Sequence, residues 1–484
     1  MLQYWQTLRD SFFSCLLAQP WWTWQYWRNN RLWAFQLLCY ALVILAILYR
    51  IDYIIEFNPI YHIFSDTRRH WEQGIDVLRG DPMVFTDPIL FQVYIAALAK
   101  LTLKYPPLVA FYTIILCSIT PWLWYRFVRE LQPSKTLALV AWVVLSWNPS
   151  WISIYGYFMQ ETLLLPMLGA ALWATWRCKR KQTAAAFTLM VLIWALAGLS
   201  RGIAIPMAAV ACTWLWCVQA EKIRKGIYSL LVLALILGPL TYRGYQFVHI
   251  FAPHGMGNMN LIYAKSGKRK INMNYERQGA RWFYVFQSPA AEARVFEPLS
   301  DWQSRRRGAV TAFVDLDEGS RDWELNMERT TLSLKQYVDI TLDNMILLFF
   351  SESWPDSNRA RTLGEVNYQS RWLWAPLTVL ILIASIVWRK RLRQQKMYAA
   401  ILIAWFVVQA LLPIAVNEGR YRMPFTGMLL VQALLLFNRP SSTNSQRGQV
   451  PLQVMPVRRF PSRSGQYRAR TPLPRKRWKV RLSE

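Results

Sequence analysis

The chain has 484 residues, is 54% hydrophobic and 15% aromatic, and carries a formal net charge of +28. So large an apolar share excludes an ordinary soluble globular protein of this length and points to a polytopic membrane protein. The six cysteines and four histidines are scattered without ligand spacing, so no disulfide framework, metal site or cofactor is expected, and the cysteines read as small buried hydrophobes.

Residues 1–31 read as a Trp-rich interfacial helix on the inner leaflet, with no removed signal peptide ahead of it. Apolar runs long enough to span follow near 32–50, 107–125, 136–152, 160–176, 183–200, 202–219, 227–247, 372–388, 398–416 and 420–437. Tryptophans crowd their ends, as interfacial rings do. Two shorter apolar stretches, 88–103 and 337–350, read as interfacial or re-entrant helices on the outer face. The expected fold is therefore an all-α polytopic membrane protein of about ten spanning helices.

Orientation follows from Lys and Arg in the short loops. RCKRK at 177–181, EKIRK at 221–225 and RKRLRQQK at 389–396 are basic and belong in the cytoplasm. The same parity puts 51–88, 153–160, the turn at 201, 248–371 and 417–422 outside. Residues 51–88 stand apart, with seven acids against three bases, a local balance of 3 − 7 = −4. The expected organisation is an interfacial helix at 1–31, an N-terminal membrane module at 32–247 with its outer loop at 51–88, an external segment at 248–371, C-terminal membrane helices at 372–437, and a basic disordered tail at 438–484. The tail suits anionic lipid; no nucleic-acid module accompanies its charge.

Ionisable groups at helix ends cost energy and mark candidate sites. Asp66 lies in the first outer loop, Glu161 opens a span in GYFMQETLLLP, Arg201 sits in the turn LAGLSRGIAIP, and Arg420 and Arg422 open the last span in NEGRYRMPF. All fall on the expected outer side. A carboxylate beside guanidinium groups suits transfer of a sugar from a polyprenyl phosphate: the carboxylate takes the acceptor's proton, and arginines stabilise the departing phosphate.

These motifs, in this order over about residues 32–437, resemble the membrane glycosyltransferases of the GT-C fold, specifically the bacterial relatives of the dolichyl-phosphate-mannose protein mannosyltransferases and the aminoarabinose lipid A transferases. Asp66 in SDTRRHWEQGIDVLRGD looks like the first-loop catalytic aspartate, and DPILFQVYIAAL resembles the interfacial segment after it. NPSWISIYGYFMQETLLLPMLGAAL, LAGLSRGIAIP and EGRYRMPF are similar to the family's acid-tipped span, its Gly-Leu-x-x-Arg turn and its final Arg-Tyr-Arg-x-Pro signature. The resemblance implies an inverting transferase acting outside the cytoplasm of the plasma (inner) membrane. Asp66 would be its general base, and Glu161, Arg201, Arg420 and Arg422 its donor-binding residues. The donor would be a polyprenyl-phosphate sugar; the acceptor, a lipid, glycan or protein, stays open.

Each residue also has a plainer reading. Asp66 suits an N-cap for a helix opening at Thr67. Glu161 suits a structural ion pair, and Arg201 a helix C-cap or a snorkelling cation. Arg420 and Arg422 point about 200° apart on a helix, so one of them, Arg420 by preference, faces the cavity. Arg68 and Arg69 either reach the donor or are solvated, the run Arg305–Arg307 reads as a solvated face, and Trp282, Phe283, Tyr284 and Phe286 form either a platform for an acceptor or, by preference, a small external core. Two other activities fit the composition: an oligosaccharide ligase or polymerase using His249 or His254, and a transporter of lipid-linked sugar, although no internal repeat is visible.

Overall fold

The structure is a computed structural model that describes residues 31–63, 65–81, 83, 87–131, 134–248, 253, short strands between 269 and 329, 334, 373, 376–388, 395–407 and 419–437. Residues 1–30 of the expected interfacial helix, the 337–350 stretch, the basic tail, and His249 and His254 lie outside the described residues, as do the side chains of Arg305–Arg307 and of Trp282, Phe283, Tyr284 and Phe286.

Helices occupy the apolar runs. They are α1 Arg31–Glu56, α2 Ser65–Arg79, α3 Ile89–Thr102, α4 Pro106–Glu130, α5 Lys135–Ser146, α6 Pro149–Ser153, α7 Glu161–Lys181, α8 Ala184–Ser200, α9 Ala204–Val218 and α10 Lys222–Val248. After them come α11 Pro376–Val387, α12 Lys396–Phe406 and α13 Gly419–Phe437. Among the described residues three stretches, not the ten expected, are long and apolar enough to cross a membrane: Arg31–Tyr61, Pro106–Glu130 and Lys222–Arg243. At ~1.5 Å per residue the 25 residues of α4 reach about 37 Å, against a hydrocarbon core of about 30 Å.

The run expected as one span at 136–152 is broken. Between α5 and the turn Pro149–Gly156 the axis bends by 58°. The cause is local: Pro149 cannot donate to the ladder, and Asn148 caps the new helix through Oδ1, accepting from Trp151 N at 3.2 Å. Short antiparallel strands add a small β element between 269 and 329. Here β1 Arg269–Lys270 pairs β7 Asp315–Leu316, and β6 Val310–Phe313 pairs β8 Asn326–Arg329. A four-stranded sheet runs in the order β4 Ala293–Arg294, β3 Arg281–Tyr284, β2 Tyr275–Gln278, β5 Arg307–Gly308.

The core is aromatic and lies where α4, α7 and α13 meet. Trp124, Trp151, Trp194 and Trp405 are fully buried. Gly427 lets α13 lie directly on Trp151, since a Cβ there would fall 2.7 Å from the indole. By contrast α1 buries one stripe, Cys39, Val43, Ala46, Arg50, Tyr53 and Ile54, and turns Leu38, Ile44, Leu45 and Leu48 outward. An apolar face of that size is costly in water and at home in lipid. Of the cysteines, Cys39, Cys117 and Cys178 are buried as expected, whereas Cys217 is exposed, because α9 turns that position away from its neighbours.

Prolines inside these helices free backbone carbonyls, and buried side chains take them up. Pro121 removes the donor for Cys117 O, and Pro149 the donor for Leu145 O. Arg50, fully buried, serves both: Nη1 donates to Cys117 O at 3.1 Å and Nη2 to Leu145 O at 3.4 Å. The same guanidinium reaches Ser146 O at 2.8 Å and Trp151 O at 3.2 Å. Pro166 frees Thr162 O, which accepts from Tyr155 Oη at 3.1 Å. Arg50 and Tyr155 thus hold the broken backbone that leads into Glu161.

Candidate functional site

Two ends of the bundle are chemically distinct. At one, Arg180 pairs Glu130 at 3.0 Å, and buried Lys225 donates to Gln219 Oε1 at 3.0 Å, among the basic loops. At the other, α2 and α3 pack beside the turn 157–160 and the α8–α9 turn, and there the expected site residues collect.

α2 opens at Ser65, so Asp66 lies in the first turn rather than capping the helix, where an acid still suits the helix dipole. Thr67 Oγ1 donates to His62 O at 2.8 Å and moors that turn. One face of α2 carries Asp66, Arg69, His70 and Gln73, at spacings that fall together on a helix. Arg69 bridges two carboxylates, with Nη1 3.2 Å from Asp66 Oδ1 and Nε 3.3 Å from Asp87 Oδ2. Gln73 Nε2 donates to Asp87 Oδ2 at 2.7 Å, and Gln92 Nε2 to Asp87 O at 3.1 Å. Arg69 is thus part of a network rather than solvated. Arg68 is solvated: it pairs with exposed Glu72 at 2.7 Å, and that contact raises its pKa.

α2 is seated by packing as well. Gly74 lies so close to α3 that a Cβ would fall 2.3 Å from Ile95 Cγ2. Gly80, at φ +96°, ends α2 with the paired bonds Gly80 N to Val77 O and Asp81 N to Asp76 O, a glycine C-cap of the Schellman type. Trp71 stacks on Phe158 at 4.8 Å, and buried His70 meets the edge of Phe91 at 5.2 Å.

His70 Nε2 lies 3.2 Å from the side-chain amide of Gln160, which joins α2 to the residue ahead of Glu161. Glu161, 1% exposed, forms an ion pair with Arg201 across the top of the α7–α8 hairpin, so the structural pairing is present. Arg201 is also the C-cap of α8, its backbone N–H bonding Ala197 O. Arg422 is buried in the first turn of α13, next to Met423, whose carbonyl accepts from Trp151 Nε1 at 3.1 Å. The side chain of Arg420 lies outside the described residues. Glu161 and Arg201 are therefore in direct contact, Asp66 is linked to their neighbourhood through α2, and Arg422 stands at the same end of the bundle.

An apolar groove leads away from this end. A cavity of about 600 Å³ runs between α8, α9 and α10, lined by Gly198 and Leu199 near one end and Trp216 and Gly226 near the other. Gly198 is three residues from Arg201. On α10, Arg243 donates to Met83 O and so fastens the first loop to a helix that lines the groove.

Sequence reasoning missed His70, Gln73, Asp87, Gln160 and Arg50. A polar face at positions 66, 69, 70 and 73 was the available signal for the α2 residues. For Arg50, the signal was a charge at the end of an apolar run. Compared with protein-family models and with curated proteins, the chain finds no match.

Proposed function

We propose that the chain is a membrane glycosyltransferase that moves a sugar from a polyprenyl-phosphate donor to an acceptor on the non-cytoplasmic side of the plasma (inner) membrane. The observation that carries this reading is the pair of buried Glu161 with partly buried Arg201, set between the acid-bearing face of α2 and the head of a long apolar groove. A single-chain lipid phosphate has that shape: an anion for the guanidinium, a hydrocarbon tail for the groove.

In the proposed reaction the acceptor hydroxyl gives its proton to Asp66 as its oxygen bonds the anomeric carbon. The bond from that carbon to the phosphate oxygen breaks, and the phosphate leaves with the electron pair. General-base help of this kind is worth about 10² to 10⁴ in rate, and fixed cations at the leaving group add to it. In this reading Arg201 and Arg422 take that role, and Glu161, the ion-pair partner of Arg201, holds it in position. One base and one displacement give inversion. The resemblance to GT-C enzymes, with about ten spans, belongs to the same proposal.

The test is turnover of a synthetic polyprenyl-phosphate sugar by purified protein in liposomes, followed by release of free polyprenyl phosphate. Wild type is expected to release it, and Arg201→Met to lose most of that release when compared at equal amounts of folded protein. Release that is unchanged in Arg201→Met removes the phosphate role.

A further inference from the structure

α4 and α7 carry the same short pattern at the end opposite the candidate site: WLWYR at 122–126 and WATWR at 173–177, each with Trp and Arg four residues apart. The two helices run in the same direction there, since Phe127 meets Trp176 at 5.1 Å and Glu130 pairs Arg180. The patterns therefore interleave. The Arg126 guanidinium carbon lies 5.3 Å from the ring centre of Trp122 and 5.7 Å from that of Trp173, and the Arg177 carbon lies 5.1 Å from Trp173. Trp122, Arg126, Trp173 and Arg177 form one row of alternating indoles and guanidiniums.

Among the described residues no carboxylate pairs with Arg126 or Arg177, whereas their neighbour Arg180 is matched by Glu130. Helix C-termini attract bases, and that accounts for cations here, but not for two guanidiniums held half-buried against one shared indole, Trp173. A guanidinium held over an indole face keeps the N–H fork that suits a bidentate oxyanion. Depth selects the source of that oxyanion. Arg126 is 20 residues from Pro106, so at ~1.5 Å per residue it lies about 30 Å along α4, one hydrocarbon thickness from the other face. Indoles at that level are the usual interfacial belt.

We propose that this row is a binding site for the phosphate of an anionic glycerophospholipid in the leaflet opposite the candidate site. It rests on the chain spanning a membrane, and not on the transferase reading. Native mass spectrometry of delipidated protein, titrated with phosphatidylglycerol or phosphatidylcholine of the same acyl chains, tests it without any activity assay. Wild type should bind its first phosphatidylglycerol roughly twenty-five-fold more tightly than phosphatidylcholine, about fivefold for each base. R126Q/R177Q should lose that preference, while R129Q/K135Q, which removes two bases from the same end, should keep most of it. R126K/R177K should keep part of it, because the charge stays but the flat fork is lost. Equal loss in R129Q/K135Q, retention in R126Q/R177Q, no preference in wild type, or displacement of the lipid by millimolar inorganic phosphate would each overturn the proposal.

Discussion

Replacing Arg50 with Met keeps the bulk of the side chain and deletes its donors. Cys117 O and Leu145 O then lose the side-chain partners that stand in for the N–H groups missing at Pro121 and Pro149. Interhelical hydrogen bonds in membranes average only about 0.6 kcal/mol, because chains unfolded in lipid find other partners. A carbonyl freed by proline has no N–H of its own helix to return to, so the larger figure for an unsatisfied buried group, about 1–3 kcal/mol, applies to each. Arg50→Met should therefore cost about 2–6 kcal/mol, the 3.4 Å bond to Leu145 O contributing least. The decisive variant is Pro121→Ala, which restores an N–H facing Cys117 O. In that background Arg50→Met should cost less by about 1–3 kcal/mol. Unfolding of the detergent-solubilised protein, followed by circular dichroism, reads all four corners of the cycle. Additivity within about 0.5 kcal/mol would refute the reasoning.

Other expectations follow from the same contacts. Glu161→Gln and Arg201→Met should each destabilise by about 3–5 kcal/mol in the same unfolding assay, with the double variant costing well under their sum, as for a buried ion pair. Gly74→Ala should force α2 away from Ile95, costing about 1–3 kcal/mol and raising amide exchange along α2, while Ile95→Ala in the same chain should recover part of it. Tyr155→Phe should lose about 1 kcal/mol through the bond to Thr162 O, and in chains where Pro166 is Ala it should cost less, the 2.6 Å contact of Tyr155 Oη with Thr120 Oγ1 keeping the rest.

Much of the site was legible because charge near a membrane is expensive. Glu161 and Arg201 stood out as ionisable groups at the ends of apolar runs, and they meet. The face of α2 was less legible: Arg68 and Arg69 are neighbours in sequence, yet one reaches solvent and the other bridges Asp66 and Asp87. Only a helical wheel through 66, 69, 70 and 73 separates them. The break at 147–148 was hidden by an apolar run, although its Asn-Pro step is a turn signal that pattern reading alone undervalued. Arg50 closed an apolar run and so read as a boundary; its role depends on carbonyls that prolines free on two other helices. Composition says nothing about such a meeting.

The most direct measurement is transfer of radiolabelled sugar from membranes charged with polyprenyl-phosphate sugars, comparing wild type with Asp66→Asn at matched protein level. Transfer by wild type and its loss by 10²-fold or more in the variant, with Asp66→Glu keeping a measurable part, is the predicted result. Equal transfer by wild type and Asp66→Asn would contradict the role of Asp66. Lipid-linked sugar that changes leaflet without being transferred by either protein would contradict the enzyme itself.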